Sequence, residues 1–181
     1  MGHDECMNDT EQLLERVAQH VRGFGPEGGT LVPGRLPAPA DRAAVRRAEG
    51  ILGFALPPLL AGLYTRIADG GFGPEYGLLP LETAVEQYTA MRTSDWGWPE
   101  GVLPITDYGC AMLGSVDCRS ETAGVLLFEP NPGDPDLAWY ADSPSLADWL
   151  RGWLDGTAWF CDDAQDAGLE MGPWPEFRAR L

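Results

Sequence analysis

Basic side chains are scarce in this chain. Lysine and arginine number 12 against 28 aspartates and glutamates, a formal net charge of -16 at pH 7. Such a surface repels phosphate backbones, which argues against nucleic-acid binding. Histidine is scarcer: there are 2, His3 and His20. A Ser-His-Asp or Cys-His arrangement needs an imidazole beside its nucleophile. His20 is the one candidate, and its place on the polar side of the first helix, between Val17 and Val21, reads as solvent-facing. The 4 cysteines, Cys6, Cys110, Cys118 and Cys161, contain no C-x-x-C pair. That spacing excludes the usual zinc frameworks and leaves free, partly buried thiols as the expectation.

H-E-x-x-H, a Walker loop and a dinucleotide fingerprint are all absent. Gly70-Gly71-Phe72-Gly73 has no preceding strand and no following helix with a lysine, so it reads as a turn rather than a phosphate cradle. In Asn131 to Asp136, Pro132 and Pro135 break the spacing of a calcium loop and no glutamate closes it, so a solvated turn is expected. Carboxylate pairs abound (Asp4-Glu5, Asp162-Asp163, Asp134 with Asp136), but abundance does not set two carboxyls across a cleft. No metal, cofactor or catalytic residue is expected. No run approaches the roughly 18 apolar residues of a membrane helix. Met1 to Glu11 is acidic and polar where a signal peptide is basic and then apolar. A cytoplasmic protein without membrane contact is the expectation.

What is present suits a globular domain. The chain has 181 residues, 44% of them apolar and 22% charged, with 7 tryptophans. That length supports one domain with modest extensions and a core that needs no staple. Residues Glu11 to Phe24 are predicted to form a first helix, capped by Thr10, with Leu13, Leu14, Val17, Val21 and Phe24 on one face. Gly25 to Pro39 reads as a long loop, with Leu31-Val32-Pro33 at most an edge strand.

The stretch from Ala48 to Leu81 is the most ordered signal. Asp41 is placed to cap a helix whose inner face is Ala44, Val45, Ala48, Ile51 and Leu52. Gly53 stops that helix. Pro57 and Pro58 open the next, with Leu59, Leu60, Leu63, Tyr64 and Ile67 as its stripe and Gly70 at its C-cap. Gly77 to Leu81 suggests a brief buried strand, and Glu82 to about Met91 a third helix, with Val85, Tyr88 and Met91 inward.

Strands are expected at Val102 to Asp107, Cys110 to Asp117, Gly124 to Glu129 and Leu137 to Ala141, as an antiparallel meander whose first turn is Tyr108-Gly109. Asn131 to Pro135 is a turn signal. The last helix opens at Ser143-Pro144 or at Ser145, where Ser145 with Asp148 approximates a capping box; it buries Leu146, Trp149, Leu150, Trp153 and Leu154, and ends at Gly156. The tail after it combines Asp162, Asp163 and Asp166 with Trp159, Phe160, Trp174 and Phe177. Its acidic run favours exposure and its aromatics favour docking.

Glu49, Leu52-Gly53, Leu56-Pro57 and Gly70-Gly71, then Leu103-Pro104-Ile105 with Asp107 and Gly109, and the Ser145 to Leu154 helix, form an ordered set. This set resembles the SUKH superfamily, which holds fungal cell-wall-synthesis regulators and many bacterial toxin-immunity proteins. The likeness covers roughly Asp41 to Asp155. One departure is Asp69, where the family most often has Asn. The resemblance implies an α+β fold, a mixed, largely antiparallel sheet of about four to six strands flanked by helices. It divides the chain into residues 1–40 (helix and Gly/Pro-rich loop), 41–155 (the SUKH-like domain) and 156–181 (an acidic and aromatic extension). It also implies a protein-binding role without catalysis. The candidate partner-binding residues are Phe72, Glu75 and Tyr76 in one loop and Asp95, Trp96, Trp98 and Glu100 in another. Aromatics interleaved with carboxylates can anchor and orient a basic partner; the alternative for Trp96 and Trp98 is that they fold back onto the core, since large aromatics usually bury most of their area. The functional expectation is an immunity-type protein, monomer or weak dimer, that binds and blocks a basic, nuclease-like toxin. The alternative is an intracellular regulator or scaffold with a non-toxin partner.

Overall fold

A computed structural model describes residues 3–23, 36–74, 76–161 and 171–181, with side chains from residue 9 onward. Helix α1 runs His3–Gly23. Leu13, Leu14, Val17 and Val21 are buried as its periodicity predicts. It starts two turns before the expected Thr10 cap, and Asp9, inside this extra length, accepts from Arg151, far along the chain, at 2.7 Å. Phe24, most of the Gly/Pro-rich loop and Leu31-Val32-Pro33 lie outside the described residues.

Helix α2 (Arg42–Leu52) is built as its termini dictate. The Asp41 carboxylate accepts from the Ala44 amide at 2.6 Å, and Gly53 closes the helix at φ 79. Glu49 turns back and accepts from the Leu56 amide at 3.0 Å, which fixes the link to the next helix. Val45, Ala48 and Leu52 are buried, whereas Ile51 is 68% exposed. At about 100° per residue Ile51 falls at the edge of that stripe, not inside it. Helix α3 (Pro58–Arg66) buries Leu60, Leu63 and Tyr64. Its C-cap is Ile67 rather than Gly70. Gly70 is left-handed nonetheless, at φ 81, because the chain must turn back there against Leu78–Pro80.

Helix α4 spans Leu81–Arg92. The strand expected at Gly77 to Leu81 reduces to a bridge between Leu78 and Thr106, with the Leu79 amide on the Ile105 carbonyl at 2.8 Å. Strands β1 (Val102–Gly109), β2 (Met112–Asp117), β3 (Val125–Phe128) and β4 (Trp139–Ser143) form an antiparallel sheet in the order β1-β2-β3-β4. The fold is therefore α+β, with the expected meander. The first turn differs by position. Gly109 pairs with Met112, so Cys110 and Ala111 form the loop, at φ 51 and 64. Positive φ at both loop residues is what the twist of a two-residue hairpin requires. The last strand starts later than expected, because Pro135–Leu137 forms a 3-10 turn and leaves Leu137 exposed.

Helix α5 (Leu146–Asp155) is capped by Ser145, whose hydroxyl accepts from the Asp148 amide at 3.0 Å. Gly156 ends it at φ 68. Leu146, Trp149 and Leu150 are buried, while Trp153 and Leu154 are half-buried at its margin. The C-terminal segment docks. The Ala141 amide donates to Gly172 and the Trp174 amide to Trp139, both at 2.9 Å, so residues 172–174 line the free side of β4. Trp174 and Phe177 lie against Trp139, with ring centroids 5.9 and 6.0 Å away. Residues of α1, of the sheet and of this segment belong to one hydrophobic core. Asp162, Asp163 and Asp166 lie outside the described residues.

Candidate functional site

The first candidate loop follows α3. Asp69 accepts from the Leu81 amide at 2.9 Å and so serves the N-terminus of α4, where a negative charge is favoured. An asparagine oxygen could accept the same hydrogen bond. Gly71 donates to Leu78 (2.8 Å), Leu78 to Phe72 (2.7 Å) and Gly77 to Pro74 (2.7 Å). The Tyr64 hydroxyl donates to the Leu79 carbonyl at 3.0 Å. Phe72 lies beneath this loop with 0% exposure. A side chain without accessible surface cannot anchor a partner, so Phe72 is a core residue and not the contact expected of it. Tyr76 is 61% exposed. It rests over the β1–β2 turn, its ring 3.8 Å from where a Cβ on Gly109 would stand. Glu75 lies outside the described residues.

The second loop joins α4 to β1. Trp98 is 1% exposed and is likewise a core residue. Its indole N–H donates to the Val102 carbonyl at 2.7 Å, and its ring packs on Phe128 and Trp139. Arg92 donates to the Trp98 carbonyl, and the Gly101 amide donates to the Tyr88 hydroxyl at 3.2 Å. Trp96 is half-buried, edge-on to Phe128 with centroids 5.4 Å apart. Asp95 is exposed and has no hydrogen bond or ion pair among the described residues. Glu100 is exposed, pairs with Arg119, and donates its amide to Arg180 at 2.9 Å.

The two loops are not brought together. Tyr76 stands beside Gly109, and the Asp95 to Glu100 loop enters at Val102, so they mark opposite ends of β1. Eight residues of strand separate them by roughly 23 Å. The acidic and aromatic surface is therefore Asp95, Trp96 and Glu100 at one end and Tyr76 at the other.

Other titratable groups are placed by packing. His20 is not solvent-facing: it is half-buried, edge-on to Trp153 at 4.7 Å. Burial, then Arg16, lowers its pKa. Burial, then Asp117, pushes the Cys118 thiol up to about 12, so it stays protonated and inert near neutral pH. Burial raises the Asp142 pKa against hydrogen bonds from Trp159 (3.0 Å) and Ser143 (2.8 Å). Cys110 is exposed on the β1–β2 turn. Among the described residues no group of three or more His, Cys, Asp or Glu is placed to hold a metal ion. No helix among them is long and apolar enough to cross a membrane.

Sequence reasoning missed the support beneath the second loop. Arg180 pairs with Asp117, and Leu181 reaches Gly97, where a Cβ would stand 3.2 Å from the leucine. No local pattern relates these positions, since the pairing spans 63 residues. Residues 39–152 match the model of the SMI1 / KNR4 family (SUKH-1), a span that includes the motif positions from Glu49 to Gly109, most of the Ser145 to Leu154 helix and both candidate loops. No curated protein matches the chain.

Proposed function

Because the chain belongs to the SMI1 / KNR4 family (SUKH-1), we propose that it is a non-catalytic protein-binding module of the immunity type. It acts in the cytoplasm, as a monomer or weak dimer, by binding a basic, nuclease-like toxin and covering its active site. The observation that carries this reading is the braced acidic end of the molecule, where Asp95 and Glu100 flank Trp96. The loop is anchored through Trp98, Tyr88 and Arg180, so its ordering cost is met in folding rather than on binding. Asp95 is uncommitted among the described residues. Among the described residues the Glu100 carboxylate is held by an exposed pair, which exchanges for a partner's cation at little cost. A nuclease cleft is basic because it holds phosphate. The net charge of -16 attracts such a surface from a distance and speeds the encounter.

The test is inhibition of a basic nuclease domain from a toxin encoded beside this chain's gene, titrated at increasing salt. Stoichiometric inhibition that weakens with salt is expected. In a double variant, Asp95→Lys with Trp96→Ala, the inhibition constant should rise at least about tenfold, the range for losing one anchor and one steering charge. Full inhibition by that variant would remove this loop from the interface, and no inhibition by the parent would reject the toxin.

A further inference from the structure

The chain contains no lysine, so all 12 basic side chains are arginines. Most are spoken for. Arg16, Arg66, Arg119, Arg151, Arg178 and Arg180 each pair with a carboxylate, and Arg92 donates to Trp98. Helix α2 departs from this habit. Arg42, Arg46 and Arg47 are exposed, and none has a hydrogen bond or ion pair among the described residues. In a chain with 28 carboxylates, a surplus of positive charge gathered on one helix of 11 residues is not an average of the composition.

The placement also works against the helix. Arg42 is its first residue, at the positive end of the helix macrodipole, and the carboxylate of Asp41 is committed to the Ala44 amide. Arg42 and Arg46, four positions apart, repel each other. Among the described residues no hydrogen bond or ion pair to Arg42 or Arg46 relieves either conflict. Violations of local rules are expected at functional or strained sites.

Arg42 and Arg46 line a groove of about 700 Å³ between α1, α2 and α3. Helix α3 adds Arg66, whose pair with Glu11 is exposed and therefore exchangeable. The rest of the lining includes apolar Leu14, Val45 and Ala61. We propose that this groove docks a short acidic segment of a partner protein, one with carboxylates about a helical turn apart and an aliphatic or aromatic side chain between them. Guanidinium forks take carboxylates in pairs of parallel hydrogen bonds. The apolar lining calls for a side chain that a phosphate polymer does not have. The -16 field repels a long polyanion or a second copy of this chain, whereas a short peptide feels chiefly the charges within about one Debye length, ~8 Å at physiological salt. This face is opposite in polarity to the loop proposed for the toxin and does not depend on that reading.

The experiment is fluorescence anisotropy on the full chain at about 50 mM salt, where charge contacts are only partly screened. The probe is a labelled, acetylated peptide of about 12 residues, roughly three helical turns, that combines glutamates with two leucines. Its controls are the same peptide with glutamine for glutamate and a single-stranded DNA oligonucleotide of similar length. The acidic peptide should bind best. Arg42→Gln with Arg46→Gln should weaken it by about tenfold, the range for two charge-assisted contacts, while Arg22→Gln, outside the groove, leaves it unchanged. The double variant should melt at or above the parent temperature, because it relieves the conflicts within α2; a purely structural role for these arginines predicts the reverse. Equal binding of the glutamine peptide or the DNA overturns the proposal. So does an affinity indifferent to the double variant, or a parent that self-associates through these arginines.

Discussion

Gly70 and Gly53 are both left-handed, at φ 81 and 79, but their surroundings differ. A Cβ on Gly53 would meet nothing within 4 Å, whereas one on Gly70 would stand 2.7 Å from the Leu78 carbonyl oxygen and the Pro80 nitrogen. Backbone atoms cannot swing aside as a flexible side chain can. Gly53→Ala should therefore cost only the conformational penalty, ~1–2 kcal/mol. Gly70→Ala should cost roughly 3 kcal/mol or more, since strain and clash add. Paired denaturant titrations check this. Equal losses would mean that the loop over Gly70 yields freely. The comparison also separates what can be read locally from what cannot. Gly53 is recognisable as a helix stop in the sequence, while the demand on Gly70 comes from a segment eight to ten residues later.

The C-terminal segment shows how an element outside the family match completes the fold. Residues 172–174 hydrogen-bond to β4, Trp174 and Phe177 cover Trp139, and Arg180 pairs with Asp117, which is 4% exposed. Deleting residues 171–181 should uncover Trp139 and leave a buried carboxylate without its cation. The expected loss is about 3–5 kcal/mol, the range for breaking a buried pair from one side, with a red shift of tryptophan fluorescence in the folded state. A melt and an emission maximum like those of the full chain would show that the segment is dispensable. The sequence left this segment undecided between exposure and docking. Its aromatics are few and irregularly spaced, so no period points to the surface that receives them. In α5, by contrast, the apolar stripe and the terminal glycine were legible, and the start was narrowed to Ser143-Pro144 or Ser145, of which the helix uses Ser145.

On the scale of the whole molecule the -16 charge opposes compaction while it attracts cationic partners. Raising salt from about 0.01 to 0.15 M shortens the Debye length from ~30 to ~8 Å. The melting temperature should rise across that range, because like-charge repulsion is screened, while toxin binding should weaken. Calorimetry beside the inhibition assay tests both signs. A falling melting temperature would mean that surface pairs such as Arg16–Asp155 and Arg66–Glu11 outweigh the self-repulsion.

The sequence by itself determined what local chemistry specifies: the Asp41 cap, the Gly53 and Gly156 stops, the run of helices and strands, and the centre of each helix's buried stripe, though not margins such as Ile51, Trp153 and Leu154. These follow from backbone sterics and hydrophobic period, which act over a few residues. Tertiary structure alone decided which exposed-looking aromatics are core. Phe72 lies in a loop whose sequence reads as surface, and Trp98 in one that left exposure and burial both open, yet each fills space between elements that meet only in the folded chain. It also decided that the two candidate loops stand at opposite ends of β1, and that Arg42, Arg46 and Arg66 meet across one groove. Distances across a fold depend on how helices and sheet stack, and no spacing along the chain encodes them.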